Sequence, residues 1–366
     1  MVERQGIRVG FTLTQLSHKV PGGSARAALD LLQALTEFQE LAMTPLTARP
    51  RRADAPDNLQ NERSLRLHYA ALYELWNRTS FTGSRSAFSG LDVVHCTLAF
   101  APPVRTPLVV TIHDLFPLSN PEQFTARGAR VMAAGLRRAV ERADLVICPT
   151  HAVAAEVAEL GVGPDRLRVA HWGVDTLAVD DIAVEDMRRR HQLQGRYLLF
   201  VGALVPRKNV SVLIDAMTKL DADLQLVVVG PDGWNGEPER LRSRAGQKVR
   251  FLGQVQRADL HALLRDAVAL CIPSFREGFG LPAAEAMSHG TPVLHSLCPA
   301  LSEVVGAGGI GTDARDVDGW AEAIARIDHD PELRTRLSVA ASDRSGDFTW
   351  QRSAEQHHRA YASLVS

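Results

Sequence analysis

Two glutamates, Glu277 and Glu285, stand eight residues apart in the stretch Pro273-Ser274-Phe275-Arg276-Glu277-Gly278-Phe279-Gly280-Leu281-Pro282-Ala283-Ala284-Glu285. An apolar run ends just before it at Ile272. Pro282 suits the first turn of a helix, which Gly290 stops and Pro292 keeps from resuming. The free amides of Phe279, Gly280 and Leu281 would then point at whatever sits above the helix N-terminus, a setting that favours an anion. Carboxylates repel phosphate, so Glu277 and Glu285 suit the neutral hydroxyls of a sugar or a ribose. A second cluster is Gly202-Ala203-Leu204-Val205-Pro206-Arg207-Lys208-Asn209, between a strand run and a helix. The planar fork of Arg207 and the point charge of Lys208 both suit a diphosphate. The competing reading is a solvated surface pair. Pro21-Gly22-Gly23-Ser24 follows the first strand run, and two glycines let a backbone approach a ligand closely; a tight structural turn is the alternative. His113-Asp114 directly follows the run Leu108–Ile112, at the carboxyl end of a strand, where a purely structural histidine is the alternative.

These residues need a scaffold, and the chain supplies one pattern almost from end to end. Short β-branched runs (Ile7–Phe11, Asp92–His95, Leu108–Ile112, Leu145–Cys148) alternate with helical spacing over Ala25–Leu35, Ala129–Ala143 and Val153–Leu160. A second series begins near Arg196, with strand runs at Tyr197–Val201, Leu224–Val229, Val249–Leu252, Ala269–Ile272 and Thr291–Leu294. Such alternation argues for parallel sheets covered on both faces, where ligands bind beyond the carboxyl ends of strands. The segment Asp144–Thr150 is echoed by Val268–Ser274, each running strand, proline, hydroxyl residue, helix. A boundary is expected within Gly173–Gly195, where Asp180-Asp181 precedes a helix carrying Arg188, Arg189 and Arg190. The loop Arg49-Pro50-Arg51-Arg52-Ala53-Asp54 is polar.

Composition narrows the classes. The 366 residues are 45% hydrophobic and 23% charged, with a formal net charge of -1. That excludes a long disordered protein, and it lacks the positive excess of a nucleic-acid coat. No apolar run approaches the ~18–20 residues of a membrane span. The N-terminal MVERQGIRVGF has no apolar core and does not read as a signal peptide. The four cysteines form no C-x-x-C pair and read as reduced, mostly buried thiols of a cytosolic protein. There is no P-loop motif, and no G-x-G-x-x-G follows a strand with an acidic residue ~20 positions on, which disfavours a dehydrogenase. No Asp-x-Asp pair is read at a strand end, so no metal is expected.

The E-x7-E pair, the Arg207-Lys208 and Gly22-Gly23 motifs, His113-Asp114 and the segment Val169–Asp175 together resemble the retaining glycosyltransferases of family 4, over nearly the whole chain. The resemblance implies the GT-B fold: an α/β protein of two Rossmann-like, doubly wound parallel-sheet domains facing across a cleft. It places an acceptor-binding domain at 1–172, with a helix over 349–366 crossing back to it, and a nucleotide-sugar-binding domain at 173–348. It implies that Arg207 and Lys208 bind the donor diphosphate, Glu285 the ribose and Glu277 a donor-sugar hydroxyl. The backbone at Phe279, Gly280 and Leu281 is expected on the sugar and phosphate, Gly22, Gly23 and Gly202 beside the donor, and His113 near the transferring sugar. The chain departs from the family at Ala170-His171-Trp172, where a Pro-Asn hinge is more usual, and at Gly306–Ile310, which lacks an acidic residue.

The reaction implied is transfer of a hexose from a nucleoside-diphosphate sugar, GDP-mannose before UDP-glucose, to a glycan, lipid-linked or small-molecule acceptor, with retention and without metal or other cofactor. Acceptor specificity is expected around Glu62–Ser80, where Leu65, Leu67, Tyr69 and Leu72 mix with Arg63 and Arg66. The rivals are a nucleotide-sugar epimerase of the same fold and a non-catalytic nucleotide-sugar-binding protein. A helix punctuated by Arg127, Arg130, Arg137, Arg138 and Arg142 and carrying Val131, Met132, Leu136 and Val140 suits weak peripheral contact with the inner face of a membrane. An ordinary solvated helix face is the competing reading.

Overall fold

The computed structural model describes residues 6–18, 22–50, 59–220, 223–233 and 236–365. Pro21 of the glycine turn and residues 51–54 of the polar loop lie outside them. The chain divides into two compact units, Met1–Gly173 with Trp350–Ser366, and Val174–Thr349.

The first unit is built on β1 (Ile7–Thr12), β2 (Leu41–Thr47), β3 (Arg63–Ser64), β4 (Val93–Cys96), β5 (Leu108–Thr111), β6 (Leu145–Cys148) and β7 (Leu167–Val169). They form one sheet in the order β3-β2-β1-β4-β5-β6-β7, and every pairing is parallel. Side chains alternate along each strand. Val94, Val110 and Val146 enter a core with Trp76 and Leu136. Val93, Val109, Leu145 and Ile147 enter another with Leu31, Leu35 and Tyr361. Both faces are therefore dry, as a parallel sheet requires. The helix Trp350–Val365 buries Trp350, Ala354, His357 and Tyr361 at helical spacing and packs with the helix Gly22–Thr36. Its Tyr361 hydroxyl lies 2.7 Å from His95 Nδ1, and His95 Nε2 lies 2.8 Å from Thr111 Oγ1.

The second unit repeats the plan with β8 (Arg196–Val201), β9 (Leu224–Val229), β10 (Val249–Gly253), β11 (Ala269–Ile272), β12 (Val293–Ser296) and β13 (Gly309–Thr312). Their order is β10-β9-β8-β11-β12-β13, again all parallel. Leu198, Phe200, Leu226, Val228 and Cys271 pack with Leu213, Trp320 and Ile324 on one face. The segment around Asp180 belongs to this unit and is not a linker. The helix Asp181–Arg190 is capped by Asp180 and tied to the helix Arg257–Asp266 through Arg188–Asp266 at 2.8 Å and His191–Asp259 at 2.8 Å. Each sheet reverses direction once, between β1 and β4 and between β8 and β11. Those reversals are where a doubly wound sheet opens a crevice at its carboxyl edge.

Candidate functional site

The crevice of the second sheet is made by the loops after β8 and β11, and these hold the two richest motifs of the sequence. Lys208 ends a short 3₁₀ turn, Pro206–Lys208, beyond β8. Its Nζ donates to Glu277 Oε1 at 2.5 Å, in the loop beyond β11, and Ser274 Oγ donates to the same oxygen at 2.6 Å. Arg207 Nη1 stands 3.9 Å from Glu277 Oε2, outside hydrogen-bond length. The loops are also joined by backbone and amide bonds. Phe275 N–H donates to the Arg207 carbonyl at 2.9 Å, and Asn209 Nδ2 donates to the Pro273 carbonyl at 3.1 Å and to the Ala314 carbonyl at 2.6 Å. Burial alone would raise the Glu277 carboxyl. The charges of Lys208 and Arg207, with hydrogen bonds from Lys208 and Ser274, outweigh it and hold the group below the usual carboxylate range. The loops beyond β8 and β11 thus bring together two cations and one ionised carboxylate, cross-tied by these hydrogen bonds.

Glu285 is the fifth residue of the helix Leu281–Ser288 and is half-buried. Gly280 caps that helix with φ 88°, and a Cβ there would sit 2.5 Å from Leu301 Cδ2, so a side chain is excluded twice over. Leu281 opens the helix, so its amide has no carbonyl one turn back to meet it. Phe279 is fully buried, its ring edge-on to Phe348 at 5.4 Å. It can offer a ligand only backbone. Gly202 directly follows β8, and its carbonyl lies 2.0 Å from where a Cβ on Gly230 would stand. These residues all sit on the second unit, whereas Gly22, Gly23 and His113 belong to the first. An Asp-x-Asp triplet does follow β13, at Asp316-Val317-Asp318. Asp316 caps a helix through Gly319 N–H at 2.9 Å and Asp318 pairs with Lys219, so both carboxylates have structural work.

In the first unit Gly22 and Gly23 open the helix after β1. His113 follows β5, and its Nε2 donates to the Thr97 carbonyl at 2.7 Å. That bond fixes the tautomer: Nδ1 is bare, buried and without a partner among the described residues. Burial pushes the imidazole down to about 4, against the opposing pull of the Thr97 carbonyl. Trp172 lies edge-on to the ring at 5.1 Å. A neutral histidine with an unmet acceptor suits a hydroxyl hydrogen. Spacing alone had not singled out Ser274, Asn209, Thr97 or Trp172. The echo of Thr150 and Ser274 was a signal, but the pair diverge: Thr150 Oγ1 caps a helix at Val153 N–H, and Ser274 turns to Glu277.

Two further expectations change. Leu65 and Leu72 are fully buried core residues, and Arg63 is spent on the Ala87 and Ser89 carbonyls at 3.3 and 2.7 Å. Of the residues named in Glu62–Ser80, that leaves Arg66 exposed and Leu67 and Tyr69 half-buried. On the helix Ala126–Arg142, Leu136 is core and Val131 and Val140 pack against it. Arg142 donates to the Trp76 and Ala101 carbonyls, both at 2.9 Å. The apolar stripe faces the protein, and the outer face keeps Arg127, Arg130 and Arg137 with Met132. No described helix is long and apolar enough to cross a membrane.

Residues 21–177 match the family described as Glycosyltransferase Family 4, and residues 184–344 the one described as Glycosyl transferases group 1. A D-inositol 3-phosphate glycosyltransferase of Corynebacterium glutamicum is 30% identical over 283 residues, covering 72% of this chain and 68% of its own. An O-antigen chain mannosyltransferase B of Escherichia coli is 30% identical over 268 residues, covering 70% of each. The fold of Anabaena HepE, solved in complex with UDP-glucose, superposes with a TM-score of 0.75 at 18% identity over 98% of this chain and 99% of that one. With two doubly wound parallel sheets and these matches, the chain belongs to the group 1 glycosyltransferases of family 4 and has the GT-B fold.

Proposed function

We propose that this glycosyltransferase moves a hexose from a nucleoside-diphosphate sugar to an acceptor hydroxyl, with retention and without a divalent metal. The observation that carries the reading is the Arg207–Lys208–Glu277 cluster at the switch point of the second sheet. Breaking the bond between the anomeric carbon and the phosphate oxygen leaves positive charge on the sugar and adds negative charge to the diphosphate. Arg207, Lys208 and the amides opening the helix Leu281–Ser288 meet that growing charge from fixed positions, which is preorganised electrostatic catalysis. When the diphosphate draws the cations, Glu277 is left to accept a donor-sugar hydroxyl, and Glu285 takes the ribose. His113 Nδ1 accepts another sugar hydroxyl. The leaving phosphate oxygen takes the acceptor's proton as the new glycosidic bond forms on the same face. The mannosyltransferase relative supports GDP-mannose as the first donor to try, and the UDP-glucose complex supports the second. The inositol-phosphate relative supports a small polyol beside glycan and lipid-linked acceptors, held by the first domain.

A thermal-shift screen of nucleotide sugars identifies the donor: at ~100 times its dissociation constant a binder adds about 2.7 kcal/mol. Mass spectrometry of acceptor mixtures with that donor should then show one added hexose. Free nucleotide with no acceptor product would overturn the transfer reading. EDTA should leave turnover largely intact; complete loss restored by Mn²⁺ or Mg²⁺ would overturn metal independence.

A further inference from the structure

The loop that carries Glu277 lies along the segment after β12, and three contacts pin it at even intervals. Ser296 Oγ donates to the Ser274 carbonyl at 2.5 Å. Glu277 N–H donates to Cys298 Sγ at 3.3 Å. The Gly280 Cα stands so close to Leu301 that a Cβ would reach its Cδ2 at 2.5 Å. Positions 274, 277 and 280 thus meet 296, 298 and 301. The middle contact alone acts at the residue whose carboxylate holds Lys208. Cys298 is buried, 6% exposed, and has no disulfide. Its sulfur contacts the backbone of Glu277, not the reacting atoms.

We infer that Cys298 is a positioning residue for Glu277: its thiol sulfur anchors the Glu277 backbone amide and so fixes where the carboxylate stands relative to Lys208 and the donor. The inference rests on the reading of Glu277 as a donor-binding carboxylate. An alanine at 298 leaves the amide without its acceptor and the loop free to shift between its two outer pins. A serine keeps an acceptor at shorter reach. The donor diphosphate is held mainly by other residues, so the loss belongs to turnover more than to donor affinity.

The test measures steady-state kinetics with GDP-mannose or UDP-glucose, whichever the protein turns over, for Cys298→Ala, Cys298→Ser, Glu277→Gln and both double variants. Losing one weak hydrogen bond should lower kcat roughly three- to tenfold for Cys298→Ala with little change in donor KM. Cys298→Ser should recover most of it. In the Glu277→Gln background the alanine should cost almost nothing more, because both changes act through one group. Hydrogen exchange over residues 274–280 should quicken in the alanine variant and stay near wild type in the serine variant. Should the alanine variant fail to fold, Cys298→Val, which fills the site but offers no acceptor, takes its place in every comparison. An equal cost in both backgrounds, or wild-type kcat in Cys298→Ala beside an impaired Glu277→Gln, overturns the positioning role. An unimpaired Glu277→Gln overturns the assignment of Glu277 and this inference with it.

Discussion

Lys208 and Glu277 neutralise each other in a place where neither side chain is more than 13% exposed, so each is the other's condition for being charged there. Removing one partner of a buried pair costs more than removing both, because a lone buried charge is left behind. Lys208→Ala should therefore lower the melting temperature more than Lys208→Ala with Glu277→Gln, a comparison that calorimetry reads directly. On the proposed donor assignment the same substitution also removes a charge-assisted contact worth about 1.5–3 kcal/mol, so donor affinity should fall roughly tenfold or more. Glu285→Ala should weaken donor binding on a similar scale, whereas Glu277→Ala should mainly slow transfer. Wild-type kinetics in both glutamate variants would remove them from the site. Gly280→Ala has a sharper expectation. A left-handed φ costs an alanine about 1–2 kcal/mol, and its Cβ meets Leu301, so this one methyl should shift the helix start and raise donor KM. What the sequence made legible at this scale was residue type: two cations and two carboxylates at strand–helix junctions. It could not show that Ser274 serves Glu277 and not a helix end, because Thr150 has the same local pattern and does the other job.

Elements were legible where pattern is long and hidden where it is short. β8 and β11 sit on uninterrupted apolar runs and β9 on one broken only by Gln225, and the structure finds all three within a residue of the expected bounds. β2 was not anticipated because Pro45 interrupts it. The structure tolerates that proline because β3 pairs only with Leu46 and Thr47, leaving no strand opposite Pro45 on that side. β7 is three residues long, and β13 carries two glycines in four positions, so neither offers a period to read. The helix Ala126–Arg142 shows the limit of composition alone. Its amphipathic pattern is real, but Leu136 and Ala139 bury that face against the sheet, and Arg127, Arg130 and Arg137 are left outward with Met132 as the one large apolar side chain beside them. Any attachment to an anionic surface would then be electrostatic, about 1 kcal/mol for each basic residue near it. Vesicles rich in anionic lipid should sediment the protein at low salt and release it as salt rises. Reversing Arg127, Arg130 and Arg137 to glutamate should abolish sedimentation, and Met132→Ser should leave it unchanged. No sedimentation at low salt would remove the helix from any membrane role.

At the scale of the whole molecule, the chain's last helix returns to its first unit and is held there by imidazoles that must stay neutral. His95 joins Thr111 to Tyr361 of that helix, and His357 on the same helix bonds the Ser353 carbonyl at 2.7 Å. Their rings lie 5.5 Å apart. Burial pushes His18, His113 and His357 each down to about 4 and His95 well below its ordinary value. The unfolded chain takes up these protons near pH 6.5, while the folded unit refuses those of His18, His113 and His357 until about pH 4. The sign follows: the stability these groups contribute is complete above about pH 6.5 and is lost as pH falls toward 4. Each group adds up to about 1.4 kcal/mol per pH unit to the slope inside that window. His357→Gln keeps a polar side chain but cannot take the proton. Urea unfolding between pH 7 and 4 should therefore show wild-type stability falling more steeply than that of the variant, by up to about 1.4 kcal/mol per pH unit. Above pH 7 the two slopes should coincide. Parallel curves throughout the acid window would show that His357 does not titrate with folding, and that the clasp of the last helix on the first sheet is indifferent to its charge.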